Sequence, residues 1–99
     1  MSWNHNTHYH GFVMSSLPPN CRRALDVGCG RGTLARKLAL RCEEVVGIDT
    51  DPSCVIHARL TGVQSKITFV TGNVLTHPLQ PKSFDFVVAV RLCIIYRYG

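Results

Sequence analysis

The stretch that decides the fold is residues 24–32, which read ALDVGCGRG. The run from Arg23 to Val27 is short and largely apolar, which is typical of a buried strand, and the glycines that follow it favour a tight turn. Leucines and alanines then recur four residues apart between Thr33 and Arg41, and this spacing predicts a helix. The stretch therefore predicts a strand, a glycine turn and a helix in succession.

The alternation of strands and helices continues along the chain. The sequence predicts a leading helix, a second strand, a helix that begins at Asp51-Pro52 and ends at Gly62, and two more strands. These further elements are placed at residues 6–16, 44–49, 51–62, 67–70 and 84–90. The pattern indicates an α/β fold with a Rossmann-like, doubly wound parallel sheet. That arrangement orders its strands roughly 3-2-1-4-5-6, so we expect only its N-terminal half, with strand order 3-2-1-4.

Composition narrows the class of protein. The 99 residues are 45% hydrophobic, which indicates one globular domain rather than a disordered chain. No stretch approaches the roughly 18 apolar residues that span a membrane, and the polar N-terminus does not resemble a signal peptide, so we expect a cytoplasmic location. The five cysteines are scattered without a C-x-x-C pair, which favours reduced thiols over a disulfide framework or a zinc site.

The whole chain has a net formal charge of +5, and its basic residues are concentrated in residues 22–41. The basic residues of that part are Arg22, Arg23, Arg31, Arg36, Lys37 and Arg41. No aromatic residue lies among them, so the stacking partners expected of a protein that binds single-stranded nucleic acid are missing. A solvated basic face is the favoured interpretation, and nucleic acid is the less favoured partner.

An acidic residue stands at the end of the second strand. Asp49 lies about 20 residues beyond the glycine turn, where a carboxylate can accept hydrogen bonds from ribose hydroxyls. The turn and Asp49 together predict a nucleoside-containing cofactor at the carboxyl ends of the strands. The dinucleotide fingerprint G-x-G-x-x-G would place its third glycine at Thr33, whereas this chain has Gly32, which disfavours an NAD-dependent oxidoreductase. A dinucleotide binds through its pyrophosphate, whereas a cofactor that contains an amino-acid group carries an ammonium. Such an ammonium prefers a nearby carboxylate, and Asp26 provides one.

These residues carry a resemblance to a known family. Residues 24–32 resemble the first motif of class I S-adenosylmethionine-dependent methyltransferases, residues 45–51 (VVGIDTD) resemble the second, and residues 84–89 (FDFVVA) resemble the fourth strand. The resemblance covers most of residues 20–90. It implies that the chain binds S-adenosylmethionine and serves methyl transfer to an acceptor, for which a small molecule is the favoured class.

The resemblance implies a cofactor site built at three strand ends. Its residues are Asp26, Gly28, Cys29, Gly30, Gly32, Asp49, Thr50 and Asn73. The glycines would line the methionine part of the cofactor, with Asp26 near its charged amino end. Asp49 would hold the ribose hydroxyls, and Thr50 would flank the adenine. Asn73 stands where the family often has an acidic residue, and its amide oxygen can still accept a hydrogen bond from the adenine amino group. No catalytic base and no metal ligand follow from the resemblance.

The N-terminal segment is rich in histidine and leaves three interpretations open. His5, His8 and His10 have a spacing that would suit a transition metal, although no carboxylate or thiol stands near them in sequence. A plain amphipathic helix is the second interpretation. The third follows from the resemblance, because many small bacterial methyltransferases have a leading helix over the cofactor cleft, and here Tyr9 or His10 would cover the cofactor.

The chain divides into a lead-in at residues 1–20, an incomplete cofactor-binding core at residues 21–90 and an atypical tail at residues 91–99. The tail does not resemble the family's continuation after strand four, commonly Leu-His-His-Leu. One choice of synonymous codons for Arg91 to Arg97 encodes that continuation in a shifted reading frame, which suggests a frameshift as a hypothesis. We therefore expect a methyltransferase truncated after the fourth strand, with impaired activity. Strand four would then be an uncovered edge through which two copies pair. The alternative function is a non-catalytic fragment that binds the cofactor or pairs with another chain.

Overall fold

The computed structural model describes residues 5–61, 65–77, 79, 83–92 and 94–97. Within them the chain forms three α-helices, five strands and a 3₁₀ helix after the fourth strand. In chain order these are α1 (His5–Ser15), β1 (Arg23–Val27), α2 (Thr33–Leu38), β2 (Glu44–Asp49), α3 (Pro52–Leu60), β3 (Ile67–Thr71), β4 (Phe86–Ala89), the 3₁₀ helix (Val90–Leu92) and β5 (Ile94–Arg97). None of the helices in this part of the chain is long and apolar enough to cross a membrane.

The five strands form one sheet in the order β3-β2-β1-β4-β5. Strand β1 runs parallel to β2 and β4, and β2 runs parallel to β3, which confirms the Rossmann-like α/β fold and the order 3-2-1-4. The last strand was not predicted. It runs antiparallel to β4, with Phe86 opposite Arg97 and Ala89 opposite Ile94.

The prediction that strand four is an uncovered edge is therefore wrong. The 3₁₀ helix reverses the chain directly after β4, and the reversal brings residues 94–97 back alongside it. The hydrogen-bonding edge of β4 is taken by β5, so two copies cannot pair through β4 in this structure.

Local hydrogen bonds explain where several elements begin and end. Asp51 caps α3 as predicted, because its side chain accepts the backbone N–H of Ser53 at 2.9 Å. Helix α2 ends at Leu38 rather than Arg41, since Leu38 O accepts the N–H groups of both Arg41 and Cys42 in a tight turn. The predicted helix end at Gly62 lies outside the described residues.

The strand β4 is shorter than residues 84–90 because both of its ends have other partners. The Asp85 side chain accepts the backbone N–H groups of Arg22 and Arg23, at 2.8 and 3.1 Å, and so fixes the start of β4 beside the start of β1. At the other end, Val90 already belongs to the 3₁₀ helix.

The core lies mainly on one face of the sheet. All three helices contribute to the larger cluster of buried residues, which includes Val13 of α1, Leu38 of α2 and Val55 of α3. The opposite face carries a smaller cluster, made of Leu25, Val46, Ile48 and Phe84. Because successive side chains of a strand point to opposite faces, β1 and β2 supply both clusters. This packing holds the carboxyl ends of the central strands in place, and the candidate site is built there.

Candidate cofactor site

The turn after β1 needs glycine at three positions. Gly28, Gly30 and Gly32 have φ angles of 74°, 55° and 89°, in the left-handed region that other residues rarely adopt. A Cβ on Gly28 or Gly30 would meet no atom within 4 Å, so both glycines leave open space beside the backbone. The turn therefore presents an unobstructed surface on which a ligand can approach the main chain.

Gly32 has a different role from the other two glycines. A Cβ there would lie 2.7 Å from Cζ of Phe69 on β3, closer than real contacts allow. Gly32 is buried and does not line the cavity described below. Its absent side chain lets the start of α2 pack closely on β3, and its contact with the methionine part of a cofactor stays a prediction.

Asp49 ties the glycine turn to the end of β2. One oxygen of its carboxylate accepts the backbone N–H of Gly30 at 2.8 Å, and the other accepts that of Asp51 at 2.9 Å. The N–H groups of Gly28 and Cys29 both donate to the carbonyl of Ile48, at 2.7 and 3.0 Å. These bonds fix the shape of the turn and use its N–H groups in doing so.

A cavity of about 310 Å³ opens at the carboxyl ends of β1 and β4. Its lining residues are His10, Asp26, Gly28, Cys29, Gly30, Arg31, Thr33, Leu34, Val90 and Arg91. Four of the eight residues predicted for the cofactor site are among them, namely Asp26, Gly28, Cys29 and Gly30. The structure thus brings the first motif to a cavity at the carboxyl ends of β1 and β4, where the strand order reverses and where open α/β sheets bind their ligands.

The residues predicted to contact the adenine lie along the same edge of the sheet but outside this cavity. Thr50 is exposed directly after β2. Asn73 is also exposed, and its side-chain oxygen accepts the N–H of Leu75 at 2.8 Å. The N–H of Gly72 donates to Asp49 O at 2.9 Å, so the loop that carries Asn73 begins beside the end of β2.

Asp26 is the unusual group in the cavity. Its side chain is only 2% exposed, and among the described residues its Oδ2 atom has no hydrogen-bond partner. Burial, with a smaller contribution from the charge of Asp49, raises the pKa of Asp26 to about 7. A buried carboxylate oxygen without a partner is costly, so this position favours a bound cation.

His10 also lines the cavity, so one of the two residues predicted to cover the cofactor shares this cavity with Asp26. It is 7% exposed, and its Nδ1 lies 3.3 Å from Nζ of Lys37 on α2. Burial and the Lys37 charge lower the pKa of His10. Tyr9 instead packs against the core, in edge-to-face contact with Phe12.

The predicted helix at the N-terminus is confirmed, and its metal interpretation gains no support from the described residues. Within them, no three side chains of the metal-binding types stand together. The side chains of His5 and His8 lie outside the described residues.

Arg31, Thr33, Leu34, Val90 and Arg91 line the cavity but were not predicted as site residues. The first three follow from the motif itself, since they continue the turn into α2. The last two come from the end of β4, and the strand order provides the signal that would have found them. Because β4 lies next to β1, the residues just beyond both strands face the same cavity.

The fold and the site together define a class of protein. The chain has a Rossmann-like sheet in which β1 to β4 are parallel, a glycine turn after β1 and an acidic residue at the end of β2. These are the features of a nucleoside-cofactor-binding α/β domain. The sequence model of the family described as "Methyltransferase domain" matches residues 24–97. The chain belongs to the class I S-adenosylmethionine-dependent methyltransferase family, and the matched region extends into the tail predicted to be atypical.

Curated relatives support this assignment. The chain is 33% identical over 87 residues to an uncharacterized methyltransferase of Mycobacterium tuberculosis, a match that covers 88% of this chain and 44% of the relative. It is 35% identical over 75 residues to a ubiquinone biosynthesis O-methyltransferase of Pseudomonas putida, covering 72% of this chain and 32% of that one. The chain thus spans less than half the length of these relatives.

Solved structures show the same likeness. A S-adenosylmethionine-dependent methyltransferase from Mesorhizobium loti superimposes with a TM-score of 0.69 at 26% identity, covering 80% of this chain and 38% of that one. An amino pentose methyltransferase from Micromonospora echinaspora, solved with S-adenosylmethionine bound, superimposes with a TM-score of 0.62 at 28% identity. The match covers 90% of this chain and 36% of that one.

Proposed function

We propose that this chain binds S-adenosylmethionine in the cavity beside the glycine turn and serves methyl transfer to a small-molecule acceptor. The observation that carries the proposal is the buried carboxylate of Asp26, which lines the cavity and whose Oδ2 has no partner in the described part of the chain. The methionine part of the cofactor carries an ammonium, which would supply that partner. The relatives named for ubiquinone biosynthesis and for an amino pentose favour a small-molecule acceptor.

The remaining cofactor contacts are assigned by their place along the sheet edge. The open sides of Gly28 and Gly30 would admit the methionine part of the cofactor. Asp49 would take the ribose hydroxyls, because each carboxylate oxygen that already accepts one backbone N–H has a further lone pair. Thr50 and Asn73, exposed beyond β2 and β3, would contact the adenine.

When bound, the cofactor supplies an electrophilic methyl group on its sulfonium sulfur. The residues of this chain would bind and orient the cofactor. Among the described residues, Asp26 and the glycine turn would do this. Positioning of this kind lowers a barrier by several kcal/mol without a general base. We assign no catalytic base, since no described side chain has the geometry of one toward an acceptor.

The alternative function is a non-catalytic module that binds the cofactor or another chain. The chain spans less than half the length of the curated relatives it matches. If the alternative is correct, residues 1–99 should bind the cofactor weakly and show no turnover of radiolabelled S-adenosylmethionine.

Calorimetric titration tests the proposed function. S-adenosylhomocysteine, the demethylated cofactor, should bind to residues 1–99, and NAD should not. Binding of NAD but not of S-adenosylhomocysteine would contradict the proposal in favour of an oxidoreductase. Methyl transfer by the purified chain would contradict the non-catalytic alternative.

The affinity for S-adenosylhomocysteine should rise with pH through about 7. Because burial raises the pKa of Asp26 to about 7, the carboxyl group is protonated below that pH and cannot pair with the ligand's ammonium. A carboxyl that must lose its proton on binding gives about a tenfold gain in affinity between pH 6 and pH 8. Calorimetry at both pH values measures this gain, which should vanish in Asp26→Asn. If the wild-type chain binds S-adenosylhomocysteine equally well at both pH values, the Asp26 carboxylate does not pair with the ligand's ammonium.

We further propose a reducing compartment, the cytoplasm, as the location of this chain. Cys21, Cys29, Cys42 and Cys54 are free thiols. The thiols of Cys21 and Cys42 lie close enough to share a hydrogen bond. Neighbouring thiols persist where cellular reductants keep them reduced.

A further inference from the structure

The cofactor's methionine part carries a carboxylate as well as an ammonium, and the glycine turn offers it few donors. The N–H groups of Gly28 and Cys29 donate to Ile48 O, and that of Gly30 donates to the Asp49 side chain. The N–H of Gly32 donates to Cys29 O at 3.0 Å. Because these four N–H groups are already used within the protein, none of the four residues has a free backbone donor for a carboxylate, and a side-chain donor in the cavity would supply one.

Among the described residues, three basic side chains line the cavity, namely His10, Arg31 and Arg91. The two arginines are exposed, so water weakens their interaction with any ligand charge. His10 is buried and shares the cavity with Asp26. A hydrogen bond from His10 would therefore be made in a less polar environment and would be worth more.

The contact with Lys37 determines which nitrogen of His10 carries the proton. The Lys37 ammonium has donors only, so Nδ1 of His10, at 3.3 Å, must be the acceptor of that bond. The proton of the neutral ring then lies on Nε2, a tautomer assigned from this network. Burial and the Lys37 charge also lower the pKa of His10, which keeps the ring neutral. The Nε2–H of His10 is therefore the hydrogen-bond donor of the ring.

We propose that the Nε2–H of His10, oriented by Lys37, donates a hydrogen bond to the carboxylate of the cofactor's methionine part. The inference rests on the proposed function and adds a recognition residue to it. In this arrangement the Asp26 carboxylate pairs with the ammonium of the cofactor. The neutral imidazole of His10, which contacts Lys37 through Nδ1, binds the carboxylate. The cavity would then recognise both charges of an amino-acid group and discriminate against a ligand that lacks either.

The test compares two ligands by calorimetry on the full 99-residue chain. One is S-adenosylhomocysteine, and the other is its decarboxylated analogue, which keeps the nucleoside, sulfur and ammonium but lacks the carboxylate. His10→Leu should weaken binding of S-adenosylhomocysteine about tenfold or more, the effect of losing a hydrogen bond to a charged group. It should change binding of the analogue less than about twofold, because the analogue has nothing for His10 to hold.

Three further variants separate recognition from folding. His10→Gln restores an N–H donor near the Nε2 position, so it should bind S-adenosylhomocysteine within about threefold of wild type. Lys37→Met should cause a smaller loss than His10→Leu, again for S-adenosylhomocysteine alone. His57→Leu replaces an exposed histidine on α3 that lies outside the cavity, and it should change neither affinity.

The outcomes distinguish the inference from the function on which it rests. If the wild-type chain binds neither ligand, the proposed function fails and the inference fails with it. If the wild-type chain binds both ligands and His10→Leu weakens both equally, His10 only shapes the cavity and the inference alone is wrong. If His10→Leu weakens neither, the carboxylate is held elsewhere, and the same comparison on Arg31→Gln and Arg91→Gln identifies the donor.

Discussion

Asp26→Asn is expected to weaken S-adenosylhomocysteine binding at pH 8 by about 100-fold or more, because breaking a buried ion pair costs about 3 kcal/mol or more. The substitution keeps the size of the side chain and removes its charge. Asp26 is buried and its Oδ2 atom has no hydrogen-bond partner among the described residues, so the ligand's ammonium would compensate the charge at that oxygen.

The same substitution should stabilise the free chain. The pKa of Asp26 is raised to about 7 in the folded chain from an ordinary value of 3.8. Between these values the folded chain binds more protons than the unfolded chain, so the free energy of unfolding falls as pH rises through this window. Because asparagine does not titrate, the variant does not show this fall in the free energy of unfolding. We expect Asp26→Asn to be more stable than wild type by about 2 kcal/mol or more at pH 8, and equal to it near pH 4.

Urea denaturation at the two pH values and calorimetry measure the two effects. Asp85→Asn is the matched control, because Asp85 lies at the amino ends of the strands and accepts the N–H groups of Arg22 and Arg23. That variant should lose about 1 kcal/mol of stability and keep its affinity for the ligand. Loss of both stability and binding in Asp26→Asn would show that the carboxylate is structural, and the proposed role would be wrong.

Gly32→Ala should have the largest effect on folding, lowering the free energy of unfolding by about 2 to 5 kcal/mol. Two costs add. The φ angle of 89° is strained for any residue with a Cβ, and that Cβ would lie 2.7 Å from the ring of Phe69. The Phe69 ring is buried and cannot move aside without disturbing the packing of α2 on the sheet.

Two other glycines serve as controls for Gly32→Ala in urea denaturation. Gly28 has a similar φ of 74° but open space around it, so Gly28→Ala should lose only about 1 kcal/mol of stability while impairing cofactor binding. Gly11 lies within α1 with no atom near its would-be Cβ, and Gly11→Ala should gain up to about 1 kcal/mol. Equal losses in Gly28→Ala and Gly32→Ala would contradict the packing argument.

Features encoded in a few neighbouring residues were predictable from the sequence. The alternation of strands and helices, the glycine turn and the cap at Asp51 each depend on local patterns, and the structure confirms them. The acid at the end of β2 was also placed correctly, since Asp49 bonds directly to the turn through Gly30. The cofactor contacts assigned to these residues remain predictions.

Features that depend on contacts between distant residues could not be predicted in the same way. The strand Ile94–Arg97 exists because the chain reverses after β4, and its composition carries no sign of where it pairs. The packing role of Gly32 is visible only once Phe69 is known to lie against it. The contact of His10 with Lys37 joins α1 to α2 and has no signal in either segment alone.

The central position of β1 has a consequence for how the chain acquires its shape. Its pairing with β2 joins residues near one another in sequence, such as Leu25 and Val46, whereas its pairing with β4 joins Leu25 to Val87. Closing the longer loop costs more chain entropy, so β4 should dock late, together with β5, to which a short reversal joins it. During synthesis on the ribosome, β1 therefore remains unpaired on one side, and the cavity lacks the wall formed by Val90 and Arg91, until the residues of β4 and the 3₁₀ helix have emerged.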